Sequence, residues 1–473
     1  MKRDYKGLYV TWLIATFVLF YLLNTHYKVY TQDYTYDAAN YWGLGASLFS
    51  SGHFSLYTLQ DDFRGYVFHV FMSICYRLSG EGKEYNYIWL IYSIILMGLF
   101  IPYSRFMKEM FESKKTKIRS TDLLRYFFPV AMVCFFFYGL IIYPLTDLYA
   151  ALLCISGVFF VYKAFRMDEF LKKFFFLAMA GVVLYLTYNI RTIYLLTLVF
   201  MVLVIVIMNL KVSQEKTINK IVQIFMSVLC YLGGAAAAAI PQLCINYHKY
   251  GIISPMINNQ NLFAKQLFWG LNYSRYATYI GQLQECNPAM FFIDRTGAKI
   301  IAKQAELSMA VSIKSYVRLF LKYPIEFICI FGKHVVNSFF VLFPDQYVQH
   351  LYINRSAYAL LSLAIVFVIF EVIHSNHKLI FAQGNGLYIL GMLLPSIAIL
   401  FGAVEERFMV LPFLLGYGAI AHFDYKTWFS TLTKKRIFRL ILTFIIFAVF
   451  ALAVESEILG SLQDAPLTFT GLK

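Results

Sequence analysis

Residues Asp33–Phe71 read DYTYDAANYWGLGASLFSSGHFSLYTLQDDFRGYVFHVF. They lie between an apolar run that closes at Leu23 and another that opens near Asn86, so they form most of one long loop, Thr25–Tyr85. From Asp37 onward Ala38, Tyr41, Gly45 and Leu48 recur at helical spacing, which predicts a helix with one small-and-aromatic face. Gly65–Leu78 is a second apolar-leaning segment, interrupted by His69 and Arg77. It is short for a membrane crossing and suits a helix lying at the interface. Asp37 opens the first of these helices. A carboxylate there serves as an N-cap or as a general base poised where lipid meets water, and the residues leave both readings open.

The surrounding chain makes the membrane setting explicit. Its 473 residues are 60% hydrophobic, 19% aromatic and 14% charged. Soluble domains hold roughly 45–50% apolar and about 25% charged residues, so an ordinary soluble enzyme is excluded, as is a disordered chain. The net charge of +15 would suggest nucleic acid in a soluble protein. In a polytopic membrane protein Lys and Arg instead mark the cytoplasmic side. The run Leu8–Leu23 after Met-Lys-Arg-Asp-Tyr-Lys has no cleavage site behind it and is expected to be a signal anchor with its N-terminus inside. Further spans are expected near 86–103, 126–143, 148–165, 174–190, 192–210, 221–243, 357–373, 387–402, 407–422 and 437–455.

Charge parity supports this order. Arg105, Lys108, Lys114, Lys115, Lys117, Arg119 and Arg125 fall in one inner loop, and Lys163, Arg166, Lys172, Lys173, Lys211, Lys216, Lys220, Lys426, Lys434, Lys435 and Arg436 in others. The run Ile325–Phe343, broken by Lys333, His334 and Asn337, is expected to be interfacial or re-entrant. The expected fold is therefore an all-α polytopic bundle of about eleven transmembrane helices, twelve if that run crosses. Three parts follow: 1–243 with its long first loop, an external region 244–356 with interfacial helices, and the C-terminal spans 357–473. The two halves do not match, which argues against an inverted-repeat transporter. Of seven Cys, Cys75, Cys134, Cys154, Cys230 and Cys329 lie in apolar runs and read as buried small hydrophobes, while Cys244 and Cys286 are the pair that an oxidising compartment would join.

The first loop resembles that of the GT-C glycosyltransferases, in particular the bacterial protein-mannosyltransferase-like and aminoarabinose-transferase-like group. Asp37-Ala-Ala-Asn-Tyr41, then Leu44, Leu48, Gly52, Phe54 and Arg64, follow that family's first-loop pattern. Weaker matches come in order. They are Tyr143-Pro144-Leu145-Thr146-Asp147, Asn189-Ile190-Arg191, Asn246–Pro255 with Gly251, and Glu405-Glu406-Arg407-Phe408 with Leu411-Pro412. The chain departs from the family in two places. Ala38 stands where the family has Glu, and the prolines after Arg64 are missing, with His69 where one is expected.

The resemblance implies a polyprenyl-phosphate-linked sugar as donor and a cell-envelope glycan, lipid or protein as acceptor, at the external face of a bacterial plasma membrane. It implies Asp37 as the catalytic carboxylate. A departing phosphate needs cations, and Arg64, Arg191 and Arg407 are the candidates, against the alternative of helix-end arginines that snorkel. Tyr41, Asp147, His334 and Glu406 are supporting candidates. Asp147 also reads as a cap, His334 as a structural histidine, and Glu405 or Glu406 as a partner for Arg407. No cofactor follows from the residues. A divalent metal would have to draw on loop acids such as Asp33, Asp61 or Asp62, since His248/His350 and His374/His377 lack metal-ligand spacing. Asn272 and Asn354 match the glycan-acceptor pattern. No phosphate-cradling Gly loop is present, so a nucleotide donor is not indicated, and nucleic acid is not an expected partner. A flippase of a lipid-linked glycan and a glycan polymerase are the alternatives.

Overall fold

Backbone polar groups that enter lipid must be satisfied within their own segment, so apolar runs of this chain become helices. The computed structural model describes residues 3–26, 34, 36–59, 64–79, 88–111, 121–212, 217–257, 262–278, 289–306, 311–342, 355–375, 377 and 384–463. Asp33, Asp61, Asp62, Cys286, His350 and Asn354, all named above, lie outside them. Helices α1 (Arg3–His26), α2 (Tyr36–Ser47), α3 (Tyr66–Leu78), α4 (Ile88–Phe111) and α5 (Thr121–Phe136) come first. Next are α6 (Thr146–Ala164), α7 (Phe170–Ile190), α8 (Leu195–Val212), α9 (Thr217–Tyr250) and α10 (Leu262–Asn272). Strands β1 (Tyr273–Thr278) and β2 (Ala289–Ile293) follow, then α11 (Arg295–Glu306), α12 (Ile313–Lys322) and α13 (Pro324–Asn337). The chain continues with α14 (Arg355–Ser375), α15 (Asn385–Ile399), α16 (Val410–Ala421), α17 (Tyr425–Ser430), α18 (Lys434–Leu459) and β3 (Leu462–Gln463).

Every expected span falls on a helix, and among the described residues six helices are long and apolar enough to cross a membrane: Thr146–Ala164, Phe170–Ile190, Thr192–Lys211, Ile218–Tyr250, Ser356–Ser375 and Lys434–Leu459. The chain is a helical multi-pass membrane protein. Val10–Leu23, Tyr66–Leu78, Leu124–Phe136 and Asn385–Ile399 are shorter apolar helices. Three boundaries differ from expectation. The span near 126–143 breaks after Phe136, ahead of Pro144. The one near 221–243 grows into a helix of 34 residues, because Ala and polar residues past Gly234 continue it to Tyr250. The one near 407–422 begins as a 3-10 turn, Glu406–Met409, and leaves only 12 residues of buried α-helix. The run expected at Ile325–Phe343 is the 14-residue α13, below the roughly 20 residues of a crossing.

The chain forms two compact units. One comprises Met1–Cys134, Leu140–Gln260 and Asn376–Pro395, the other Phe135–Gly139, Asn261–Ser375 and Ser396–Lys473. In the first, α6 is apolar all round and nearly wholly buried, as an interior helix must be. Helices α7 and α9 touch backbone to backbone: a Cβ at Gly181 would sit 1.9 Å from the Tyr231 carbonyl, and one at Gly234 2.0 Å from that of Ala178. Against α7 packs α3, which also carries α2, with Gly45 pressed on Met72.

In the second unit, α10 to α13 enclose a core of Leu267, Leu271, Ile300, Tyr316, Leu319 and Phe327. A small antiparallel sheet of order β1-β2-β3 is added to the helices, with Tyr276 opposite Phe291 and Phe292 opposite Leu462. Of the cysteines, Cys75, Cys134 and Cys154 are buried, but Cys230 is half-buried and Cys329 exposed. The expectation of burial is corrected for those two, which sit on outward faces of apolar helices. Cys244 is exposed. Asn272 is fully buried, which removes it as a surface glycan acceptor.

Candidate active site

The helix predicted from Asp37 is present, and Ala38, Tyr41, Gly45 and Leu48 all lie on its buried face. Because α2 begins at Tyr36, Asp37 is inside the first turn, where the positive end of the helix dipole favours a carboxylate. Its side chain is drawn sideways. Arg64 Nη2 donates to Asp37 Oδ1 at 2.9 Å, and both side chains keep about a quarter of their surface exposed, 28% for Arg64 and 24% for Asp37. One helical turn on, Tyr41 lies under the same guanidinium, whose carbon is 4.8 Å from the ring centroid. Asp37 and Tyr41 thus present a carboxylate and an aromatic face to one arginine.

The Tyr41 hydroxyl reaches Thr146 Oγ1 at 3.2 Å. Thr146 opens α6, and the next residue, Asp147, forms an ion pair with Arg191 at the C-cap of α7. The capping expectation for Asp147 is corrected: Leu145 is the N-cap, no side-chain cap bond forms there, and the carboxylate turns to Arg191. This second pair is more enclosed, with the Asp147 side chain 2% and the Arg191 side chain 22% exposed.

A chain of amides fixes the loop that carries Arg64. Gly65 N–H donates to the Asn189 carbonyl (3.0 Å) and Val67 N–H to Asn189 Oδ1 (2.9 Å). Asn189 Nδ2 donates to Gln242 Oε1, Gln242 Nε2 to Asn246 Oδ1, and Asn246 Nδ2 to the Ser254 and Met256 carbonyls, all within 2.7–3.0 Å. Gly65 is required by this contact, since a Cβ there would fall 2.2 Å from the Asn189 side chain. His69, one turn into α3, is buried with Nδ1 2.8 Å from the Gly65 carbonyl. Trp42 of α2 also joins a row of rings, Tyr76–Trp42–Tyr34–Tyr143, with centroids 5.4–6.0 Å apart. In the first unit the Tyr41–Thr146 hydrogen bond therefore links the Asp37–Arg64 pair to the helix start that carries the Asp147–Arg191 pair.

Arg407, Glu406 and His334 belong to the second unit. Arg407 Nε donates to Glu405 Oε2 at 2.7 Å, and both side chains are nearly enclosed. Glu406 is held by Arg275 and by the Leu342 N–H at 2.6 Å. Arg275 Nη1 also meets Asn337 Oδ1 (2.6 Å) and Glu455 Oε1 (3.0 Å). Sequence reading missed Arg275 and Glu455 and saw Asn337 only as a break in an apolar run, because their separation along the chain leaves no local pattern. It missed Gln242 too, although Asn189 and Asn246 on either side of it were singled out. His334 is wholly buried, with Nδ1 2.6 Å from the Leu400 carbonyl, and burial pushes its pKa below the ordinary histidine value. Among the described residues, no group of three or more His, Cys, Asp or Glu could hold a metal ion.

No protein-family model matches the chain, and no curated protein matches it. Among solved structures it is similar to the crystal structure of an oligosaccharyltransferase from Archaeoglobus fulgidus in the apo form, with TM-score 0.45 and 13% identity. The match covers 98% of this chain and 56% of that one, so the chain spans about half the length of that protein.

Proposed function

We propose that the chain is an integral-membrane glycosyltransferase that takes a sugar from a polyprenyl-phosphate carrier and passes it to a hydroxyl of a cell-envelope acceptor. The observation that carries this reading is the partly exposed Asp37–Arg64 pair beside the enclosed Asp147–Arg191 pair. Two carboxylates and two guanidiniums gathered on loops and helix ends next to membrane-length helices suit a phosphate-leaving reaction at a lipid–water boundary. The resemblance of the Asp37–Arg64 loop to the GT-C first loop supports it as well.

In this mechanism the acceptor oxygen attacks the anomeric carbon. Asp37 takes the hydroxyl proton as the new C–O bond forms. The bond between the anomeric carbon and the phosphate oxygen breaks, and its electron pair leaves with the polyprenyl phosphate. Arg64, with five N–H donors, can hold Asp37 and still offer donors to that phosphate. Arg191 adds a second cation within the same cluster, and Asp147 fixes its direction. A single displacement without a covalent intermediate inverts the anomeric centre. In the second unit Arg407 pairs with Glu405, Glu406 with Arg275, and His334 with the Leu400 carbonyl, so no step of this mechanism is assigned to them. The membrane is proposed to be a bacterial plasma membrane with the N-terminus inside.

The test is chemical. Full-length protein in lipid nanodiscs, given a polyprenyl-phosphate sugar, should release polyprenyl phosphate in proportion to sugar gained by a hydroxyl acceptor. Movement of intact carrier between leaflets with no release would instead support a flippase and remove the transferase reading.

A further inference from the structure

Helix α12 has three faces rather than two. At 3.6 residues per turn, Tyr316 and Leu319 point one way and are buried in the second unit's core. Ile313, Val317, Phe320 and Leu321 share an outward face, where Leu321 is 72% exposed. Lys314, Arg318 and Lys322 form the third face, and no acidic residue lies on the helix. A surface exposed to water alone would not keep four large apolar side chains outward beside a row of cations. A helix lying between hydrocarbon and headgroups does.

Neighbouring elements extend both outward faces. Tyr323, which joins α12 to α13, has the Lys303 ammonium of α11 and the Lys322 ammonium 5.4 and 5.5 Å from its ring centroid. On α13, Ile325 and Ile328 continue the exposed apolar surface. A tether joins α13 to a membrane-length helix. Lys333 of α13 bridges Asp294 (3.2 Å) and Glu457 (2.9 Å), and Glu457 lies in the last turn of the membrane-length α18. The C-terminal half of α13 is thus tied to the end of a spanning helix.

We propose that α12 and the start of α13 form an anionic-phospholipid site in the membrane surface. Val317, Phe320, Leu321 and Ile325 enter the acyl boundary, and Lys303, Lys314, Arg318 and Lys322 take the lipid phosphates. Charge complementarity selects this occupant, because a headgroup layer of phosphates supplies anions along the whole cationic face at the depth where the apolar face ends. The site stands whether or not the transferase reading does.

Spin labelling tests it on full-length protein with Cys230, Cys244, Cys286 and Cys329 replaced by Ser. A label at L321C is read in nanodiscs of phosphatidylcholine with and without phosphatidylglycerol, using oxygen and a water-soluble nickel chelate as relaxants. With phosphatidylglycerol present, the expected label is reached by oxygen and shielded from nickel. Combining Lys314→Glu, Arg318→Glu and Lys322→Glu should raise nickel access at least twofold with phosphatidylglycerol and leave it unchanged in pure phosphatidylcholine. If that variant does not fold, Lys314→Gln with Lys322→Gln should give a smaller change of the same sign. Free nickel access in both lipids would overturn the proposal. So would exclusion of both relaxants, which would mean that protein covers the face, or equal depth in both lipids.

Discussion

Asp37 and Asp147 each meet an arginine, yet their surroundings assign them different work. The Asp37–Arg64 pair is partly open, and a pair of that kind contributes only about 0–1 kcal/mol to stability. Its partners can be exchanged for substrate groups without endangering the fold. Asp147 is enclosed, and removing one member of a buried pair costs roughly 3–5 kcal/mol, because the other charge is left without compensation. Arg191→Gln should therefore destabilise the solubilised protein by about 3 kcal/mol and Arg64→Gln by about 1 kcal/mol or less, as read from denaturant unfolding. Equal losses would contradict this division. Asp37 and Arg64 were legible because both fall in one loop with a recognisable pattern. The Arg275–Glu406–Glu455 cluster was not, since contacts between residues 275, 406 and 455 are made by folding and leave no spacing to read.

The short helices α2 and α3 were the most readable elements, for their periodicity and length fixed both type and burial. Where reading failed, the cause was continuation or interruption. Helix α9 runs past its apolar segment because nothing between Gly234 and Tyr250 stops it except Pro241, which it absorbs. The span expected to start near 407 loses its first turn to a 3-10 segment, where Glu406 serves Arg275 and the Leu342 N–H. The connection between α2 and α3 carries its own prediction. Gly65→Ala places a methyl against Asn189 and should shift Arg64, cutting sugar transfer at least tenfold. The clash should also lower Tm, and Asn189→Ala in the same protein should relieve it and restore part of that loss. Transfer by Gly65→Ala at the parent rate would show that the amide chain does not position Arg64.

For the molecule as a whole, charge and hydropathy gave the membrane class directly, and the basic loops gave an orientation that can be checked. With Cys244, Cys286 and Cys329 replaced by Ser, an impermeant maleimide applied to intact cells should label Lys299→Cys and leave Lys435→Cys unlabelled. The reverse pattern would invert the topology. Acid sensitivity is a second global property. Burial holds His334 below its ordinary pKa, so the unfolded chain takes up a proton near pH 6.5 while the folded chain does not. That contribution is complete above about pH 6.5 and is lost as pH falls toward the folded value, so the wild-type advantage in Tm over His334→Gln should shrink between about pH 7.5 and 5.5. An advantage that grows on acidification would contradict the burial seen for this ring. The most direct measurement concerns Asp37. Asp37→Asn in nanodiscs should bind polyprenyl-phosphate sugar as the parent does and keep its Tm, while transfer falls by roughly 10²–10⁴-fold. Parent-level transfer by this variant would contradict the assignment of Asp37 as the base.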